Sequence, residues 1–352
     1  MGFNIASAKH IENLEVALEK AFEIHCYGLS TGGIGGILVD DQFWLEGYEG
    51  SYIFCLIPKN VDEPFPYSIA SFYADCIAYE HEVPTQAFPR ESTISNQDIP
   101  WIFKKREFVG SDTERSIKDM YLEYLQNAGE LANQISNGAW MRIGFRHDWI
   151  EGEVEQTSID GHFVAEVRWR KKYEKVSTAL HLYNAALRQT DPLSAYLNYY
   201  HVIENIVTNN GATRNNGKNW IQEAIQDHMN DHLPPIWTRG EPEEIIPDEI
   251  KEMAKEEAFV SAKDEIWMRY KYKINIVELI RVNALSQLQK LTHSGKSYED
   301  IARRLYNENR CGIAHGGTIK SHALDDDFVS ILNDILLIKY LARLSIEYKL
   351  AT

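Results

Sequence analysis

Two residues five positions apart, Arg310 and His315 in LYNENRCGIAHGG, combine a permanent cation with a group that titrates near neutral pH. A histidine can accept or donate the proton of a ribose 2′-hydroxyl, and an arginine can clamp a phosphate and the charge that grows on it. Together they can cleave a phosphodiester with neither metal nor cofactor. Five residues along an ideal helix turn through about 140°, so the two side chains diverge if the helix runs straight. Gly312 lowers helix propensity and allows a bend, and Gly316-Gly317 ends the segment. The pair converges if the chain bends there. The plainer reading is a helix-end arginine paired with an acid and a histidine bonded to a nearby carbonyl.

Other chemistry-bearing clusters are weaker. Glu204 lies in the apolar stretch AYLNYYHVIENIV; its plain reading is a helix edge or a bond to a neighbouring cation, and its functional reading is that it pairs with Arg310 or orients His315. Arg168, Arg170, Lys171 and Lys172, with Lys175 and Trp169 among them, are the densest basic group. They read as a solvated strand end that discourages edge pairing, or as a local RNA contact. Arg303 and Arg304 precede Arg310 on the same helix and extend such a patch. TGGIGGI precedes a strand and lacks the Walker lysine, which speaks against phosphate binding. Glu80-His81-Glu82 and His147-Asp148 have no partners at metal spacing, so no metal site is expected.

These residues must be positioned by elements of two kinds. Residues 8–25 read as an amphipathic helix, with Ile11, Leu14, Leu18, Ala21 and Phe22 on one face. SYIFCLIP reads as a strand, and the proline-containing span 59–110 as irregular with short strands. Ser111 and Glu114 read as a capping box for a helix carrying Ile117, Tyr121, Leu125, Ala128, Leu131 and Ile135. WMRIGF reads as a strand, and GEVEQTSI and HFVAEVRWR as a hairpin about Asp160-Gly161. From about Lys175 the texture is helical throughout. Asp191-Pro192 opens one helix with a cap and a proline at its first position. Residues 211–270 read as an insertion containing a short helix, WIQEAIQDHM. Later helices cover INIVELIRVNALSQLQKL, the stretch from Ser297 with Asp300 in capping position, and the stretch after Asp325-Asp326-Asp327.

The 352-residue chain carries a formal net charge of −16, which disfavours a non-specific nucleic-acid binder, so any RNA contact must find its cations locally. Four scattered cysteines, Cys26, Cys55, Cys76 and Cys311, form no CxxC pair and suggest neither a disulfide framework nor a zinc site. No apolar run approaches about 20 residues, and the first residues become charged too soon for a secretory signal. No membrane span and a cytoplasmic location are therefore expected.

The Arg310-Cys-Gly-Ile-Ala-His315 spacing, the "IAHG" ending and the tyrosine-rich helix carrying Glu204 together resemble the HEPN family over roughly residues 173–350. That resemblance implies a helical bundle, a homodimer in which two Arg-His motifs face each other, and metal-independent RNA cleavage by Arg310 and His315 with Glu204 in support. It also implies a defence, toxin or stress setting in which an attached sensor domain gates the nuclease. Cys311 stands where active members commonly carry Asn, Asp or His, and Gly317 where toxin members controlled by nucleotidyltransferases carry Tyr. The helical region is also similar to proteins grouped with a methylamine-utilisation accessory protein, the J component. The expectation is thus an α+β protein, with an N-terminal α+β domain at 1–172 that meets an unknown ligand or protein partner. An all-α HEPN-like bundle follows at 173–352. The expected activity is that of an endoribonuclease. A non-catalytic dimerisation or interaction protein, or a nucleotide binder, is the alternative; Cys311 and the acidic surface favour the former. Motifs facing one open basic cleft would mark a nuclease, and a motif satisfied within one subunit would mark a scaffold.

Overall fold

The computed structural model of the protein describes residues 10–27, 36–47, 53–90, 117–135, 155–159, 162–208, 216–229, 276–315 and 326–352. The chain forms two compact units: Met1–Ala132 with Gly144–Asp191 and Leu350–Thr352, and Asn133–Ile143 with Pro192–Lys349. One of the breaks in sequence between them falls at Asp191-Pro192, where the proline fixes the first turn of a new helix.

The first unit is built on a seven-stranded sheet in the order β5-β1-β4-β3-β2-β7-β6. The strands are β1 (Phe22–Cys26), β2 (Ile37–Val39), β3 (Phe43–Gly47), β4 (Ile53–Pro58), β5 (Thr85–Pro89), β6 (Glu155–Ile159) and β7 (His162–Val167). Neighbours pair antiparallel except β2 and β7, which run parallel with Leu38 opposite Glu166. Helix α1 (Leu14–Lys20) covers one face, where Ala17 and Ala21 pack with Leu38, Trp44, Cys55 and Ile57. On the other face Phe22 and Phe43 meet Phe65, and Phe43 meets Tyr73 of α2 (Tyr67–His81). Covering both faces explains why ILV and IFCLIP carry almost no polar residues.

Two expectations are corrected. The helix over 8–25 is only Leu14–Lys20; Ala21 turns to an extended conformation and Phe22 begins a strand. The span 59–110 is not irregular throughout, because it holds the 15-residue α2 and the strand β5. The hairpin pairs as expected, with Ile159 opposite His162. Its second strand ends at Val167, however, and Trp169–Tyr173 forms a short helix, α4. Between β5 and β6 lies α3 (Ile117–Ile135), and α5 (Ser177–Leu187) follows α4 and packs on α2. The Ser111–Glu114 cap, WMRIGF, His147-Asp148, the glycines before Gly36 and most of the insertion lie outside the described residues.

The second unit is helical among its described residues. Its helices are α6 (Pro192–Thr208), α7 (Asn216–Ala224), α8 (Ile276–His293), α9 (Tyr298–Arg303), α10 (Cys311–His315) and α11 (Asp326–Ala351). Tyr196, Tyr199, Tyr200, Ile203 and Ile206 bury one face of α6, and Ile331, Ile335, Ile338 and Ala342 are buried on α11. Overall the protein is α+β, with a strand-bearing first unit and a mostly helical second.

Candidate functional site

The candidate motif is positioned by the start of α9. Ser297 accepts from the Asp300 amide at 3.1 Å, and the Asp300 carboxylate accepts from the Ser297 amide at 3.2 Å, a complete capping box. Ile301, Ala302 and Leu305 then bury the inner face. Past Arg303 the helix widens into a π-helical stretch, Arg304–Arg310, before tightening into α10. The irregularity therefore lies upstream of Gly312, which is buried inside a regular helical turn instead of marking a bend.

The wide turn has a visible cause. In an i→i+5 helix, residues five apart stack on one side, whereas in an α-helix they diverge. Arg304 and Asn309 are such a pair, and both reach one oxygen of Asp334 on α11, from Nε at 2.7 Å and from Nδ2 at 2.9 Å. Gln287 of α8 donates to the other oxygen at 3.2 Å, and Asp334 is 0% exposed. The Tyr196 hydroxyl donates to the Leu305 carbonyl at 2.9 Å within the same turn. Leu305 and Arg310 are also five apart, so the stretch that buries Leu305 draws Arg310 inward.

Arg310 meets α6. Its Nη2 lies 3.1 Å from one oxygen of Glu204 and 3.4 Å from the other, with the arginine side chain 21% exposed. His201 approaches the same carboxylate at 4.0 Å. The guanidinium sits 5.8 Å from the Tyr306 ring centroid, and that ring tilts against Tyr200 at 5.9 Å. Burial works against the Arg310 charge, but Glu204 and the Cys311 side chain outweigh it and hold the guanidinium above its ordinary value. Burial first, and then the Glu204 charge, push the Tyr200 phenol upward, which leaves it a neutral donor. Helix α7 closes over that phenol at Gly217, where a Cβ would come within 3.0 Å of the hydroxyl.

Two donors here are unspent: Arg310 Nε and the Tyr200 hydroxyl are buried without a hydrogen-bond partner. Each is a donor without an acceptor. His315 closes α10 within about a turn and a half of Arg310, and its side chain lies outside the described residues. Glu204 is thus paired with Arg310, one of its two expected uses.

The other predicted cations divide. Arg168 pairs with Glu166 at 3.1 Å and Lys172 with Glu80 at 3.1 Å, while Arg170 donates to Gln42 at 3.3 Å and Lys171 is exposed. These lie in the first unit, at the end of β7 and on α4 rather than on a continuing strand. Arg303 is exposed and bound to Asp300, whereas Arg304 turns inward to Asp334 and adds nothing to a surface patch. Sequence reasoning missed Asp334. Its only signal was a carboxylate inside the apolar run SILNDILLIKYLA. Among the described residues, no group of three His, Cys, Asp or Glu can hold a metal ion, and no helix is long and apolar enough to cross a membrane.

No curated protein matches the chain, and no solved structure does. No HEPN family model matches either. The segment carrying α6, Glu204, Arg310 and Asp334 does match one family: residues 179–347, a little under half of the chain, are similar to the methylamine utilization protein MauJ.

Proposed function

We propose that the protein is a metal-independent endoribonuclease of the HEPN type, acting as a homodimer. Arg310 holds the scissile phosphate, Glu204 fixes the guanidinium, and His315 moves the proton of the 2′-hydroxyl. The observation that carries this reading is the pair of unspent buried donors, Arg310 Nε and the Tyr200 hydroxyl, beside an arginine already oriented by a carboxylate. Donors fixed in advance stabilise charge that develops on a phosphate without reorganising. The first unit is proposed to gate this activity in response to a ligand.

A second reading is a non-catalytic interaction protein. It is favoured by the Arg310–Glu204 pair, which satisfies much of the motif within one chain, and by Cys311 at the position after the arginine. The test is cleavage of a mixed RNA pool in EDTA by the intact chain, beside Arg310→Ala, His315→Ala and Tyr200→Phe. A nuclease gives 2′,3′-cyclic phosphate ends that both alanine variants abolish. It also loses about 10-fold or more in Tyr200→Phe, one oxyanion donor's worth. Silence from the intact chain leaves the interaction protein and a nuclease awaiting its trigger, and cleavage undiminished in all variants rejects the assigned site.

A further inference from the structure

Within the first unit, a cavity of about 180 Å³ is lined by Gln86, Tyr124, Leu125, Ala185, Arg188 and Gln189, from β5, α3 and the end of α5. At about 30 Å³ per water it has room for roughly six waters, or for one small organic molecule. The one cation among its described lining residues, Arg188, is unusual in its partners. The Arg188 amide bonds back to the Asn184 carbonyl at 2.9 Å, which fixes the residue just past the last turn of α5. Nη1 donates to the Gln86 side-chain oxygen. Gln86 is itself anchored, its amide nitrogen donating to the Tyr67 hydroxyl at 2.6 Å and the Ala87 carbonyl at 3.1 Å. Arg188 Nε is buried with no hydrogen-bond partner. Although the chain has 52 acidic residues, none among the described residues forms an ion pair with Arg188. A partly buried guanidinium left this way in an acidic protein calls for an external acceptor.

We propose that this cleft binds a small carboxylate-bearing molecule, with the carboxylate bridging Nε and Nη2 of Arg188. With Nη1 held by Gln86, the remaining edge is the fork that matches two coplanar oxygens. Among the described residues one cation lines the cleft, which balances one carboxylate but falls short of a phosphate monoester, at about −1.5 to −2. The rest of the lining suits the body of such a ligand: Leu125 and Ala185 are apolar, while Gln189 and Tyr124 offer an amide and a hydroxyl. All the lining residues belong to the first unit, so the inference stands independently of the nuclease reading.

The test is thermal unfolding of the full chain with butyrate, a monocarboxylate, as the probe, sodium chloride keeping the ionic strength constant. At about 20 mM butyrate the transition of the first unit rises by about 2 °C, while phosphate at the same concentration gives less than half of that rise. Gln189→Glu places an acid in the cleft beside Arg188 and abolishes the response. Arg188→Lys retains the charge without the fork and loses most of it. If Arg188→Lys does not fold, Gln189→Glu decides alone. No rise with butyrate, an equal rise with phosphate, or a response that survives Gln189→Glu overturns the proposal.

Discussion

Replacing Asp334 by leucine tests whether the buried carboxylate holds the π-helical stretch in place. The side chain is 0% exposed and accepts from Arg304, Asn309 and Gln287, so the substitution strands three donors, one of them charged. Breaking a buried ion pair from one side costs about 3–5 kcal/mol. Because the Arg304 side chain is already 15% exposed and can turn partly to water, the low end applies, about 3 kcal/mol. For a unit of about 170 residues that is a fall of roughly 6–12 °C in midpoint. Thermal melts monitored by circular dichroism measure it, and hydrogen exchange of the α11 amides isolates the second unit from the first. The double variant Arg304→Met/Asp334→Leu removes both charges and recovers most of the loss, since the penalty belongs to the uncompensated charge. A single variant within about 1 kcal/mol of the parent, or a double variant no better than the single, refutes the reasoning.

Two further perturbations probe the first unit. At Gly129 on α3 an added Cβ would lie 1.8 Å from Tyr27 Cδ1. Gly129→Ala therefore loses a net 1–2 kcal/mol or so in urea unfolding, because overpacking of about 1–3 kcal/mol exceeds the helix-propensity gain of up to about 1. Net stabilisation would contradict that close approach. His181 bonds to Asp75 at 3.0 Å, and chiefly that bond raises its pKa, against a smaller effect of burial. A raised histidine pKa means stability fully present below the unfolded value of about 6.5 and lost as pH rises through the folded one. His181→Gln accordingly narrows the stability difference between pH 5.5 and 8.5, by less than about 1 kcal/mol because the imidazole is 55% exposed. A difference that is flat or grows with pH would reverse the sign.

What could be read from residues alone follows from how local each signal is. The Ser297–Asp300 box, the Asp191-Pro192 start and the Asp160-Gly161 hairpin are set by a few neighbouring side chains, and the elements stand where those signals fall. Helix α2 was not legible because every residue from Tyr73 to Tyr79 is buried, which leaves no polar face and hence no period. The predicted first helix overran because Phe22 continues a helical spacing. Pairing of β1 with β4 and β5 outweighed that local pattern. At the candidate site, the Arg310–Glu204 pair was anticipated from residue type. The widened turn was not, because its cause is Asp334, contributed 30 residues beyond Arg304 by another helix.

The parallel pairing of β2 with β7 joins residues 128 positions apart, Leu38 with Glu166. On a ribosome adding about 5–20 residues each second, β2 waits roughly 6–25 seconds for its neighbour. Until then a short, wholly apolar strand is the border of the nascent sheet, with one row of amide and carbonyl groups unanswered. The first unit completes its sheet only once Val167 has been added, close to the midpoint of synthesis, and its vulnerable interval is fixed by the connectivity of the strands rather than by the strength of the finished core.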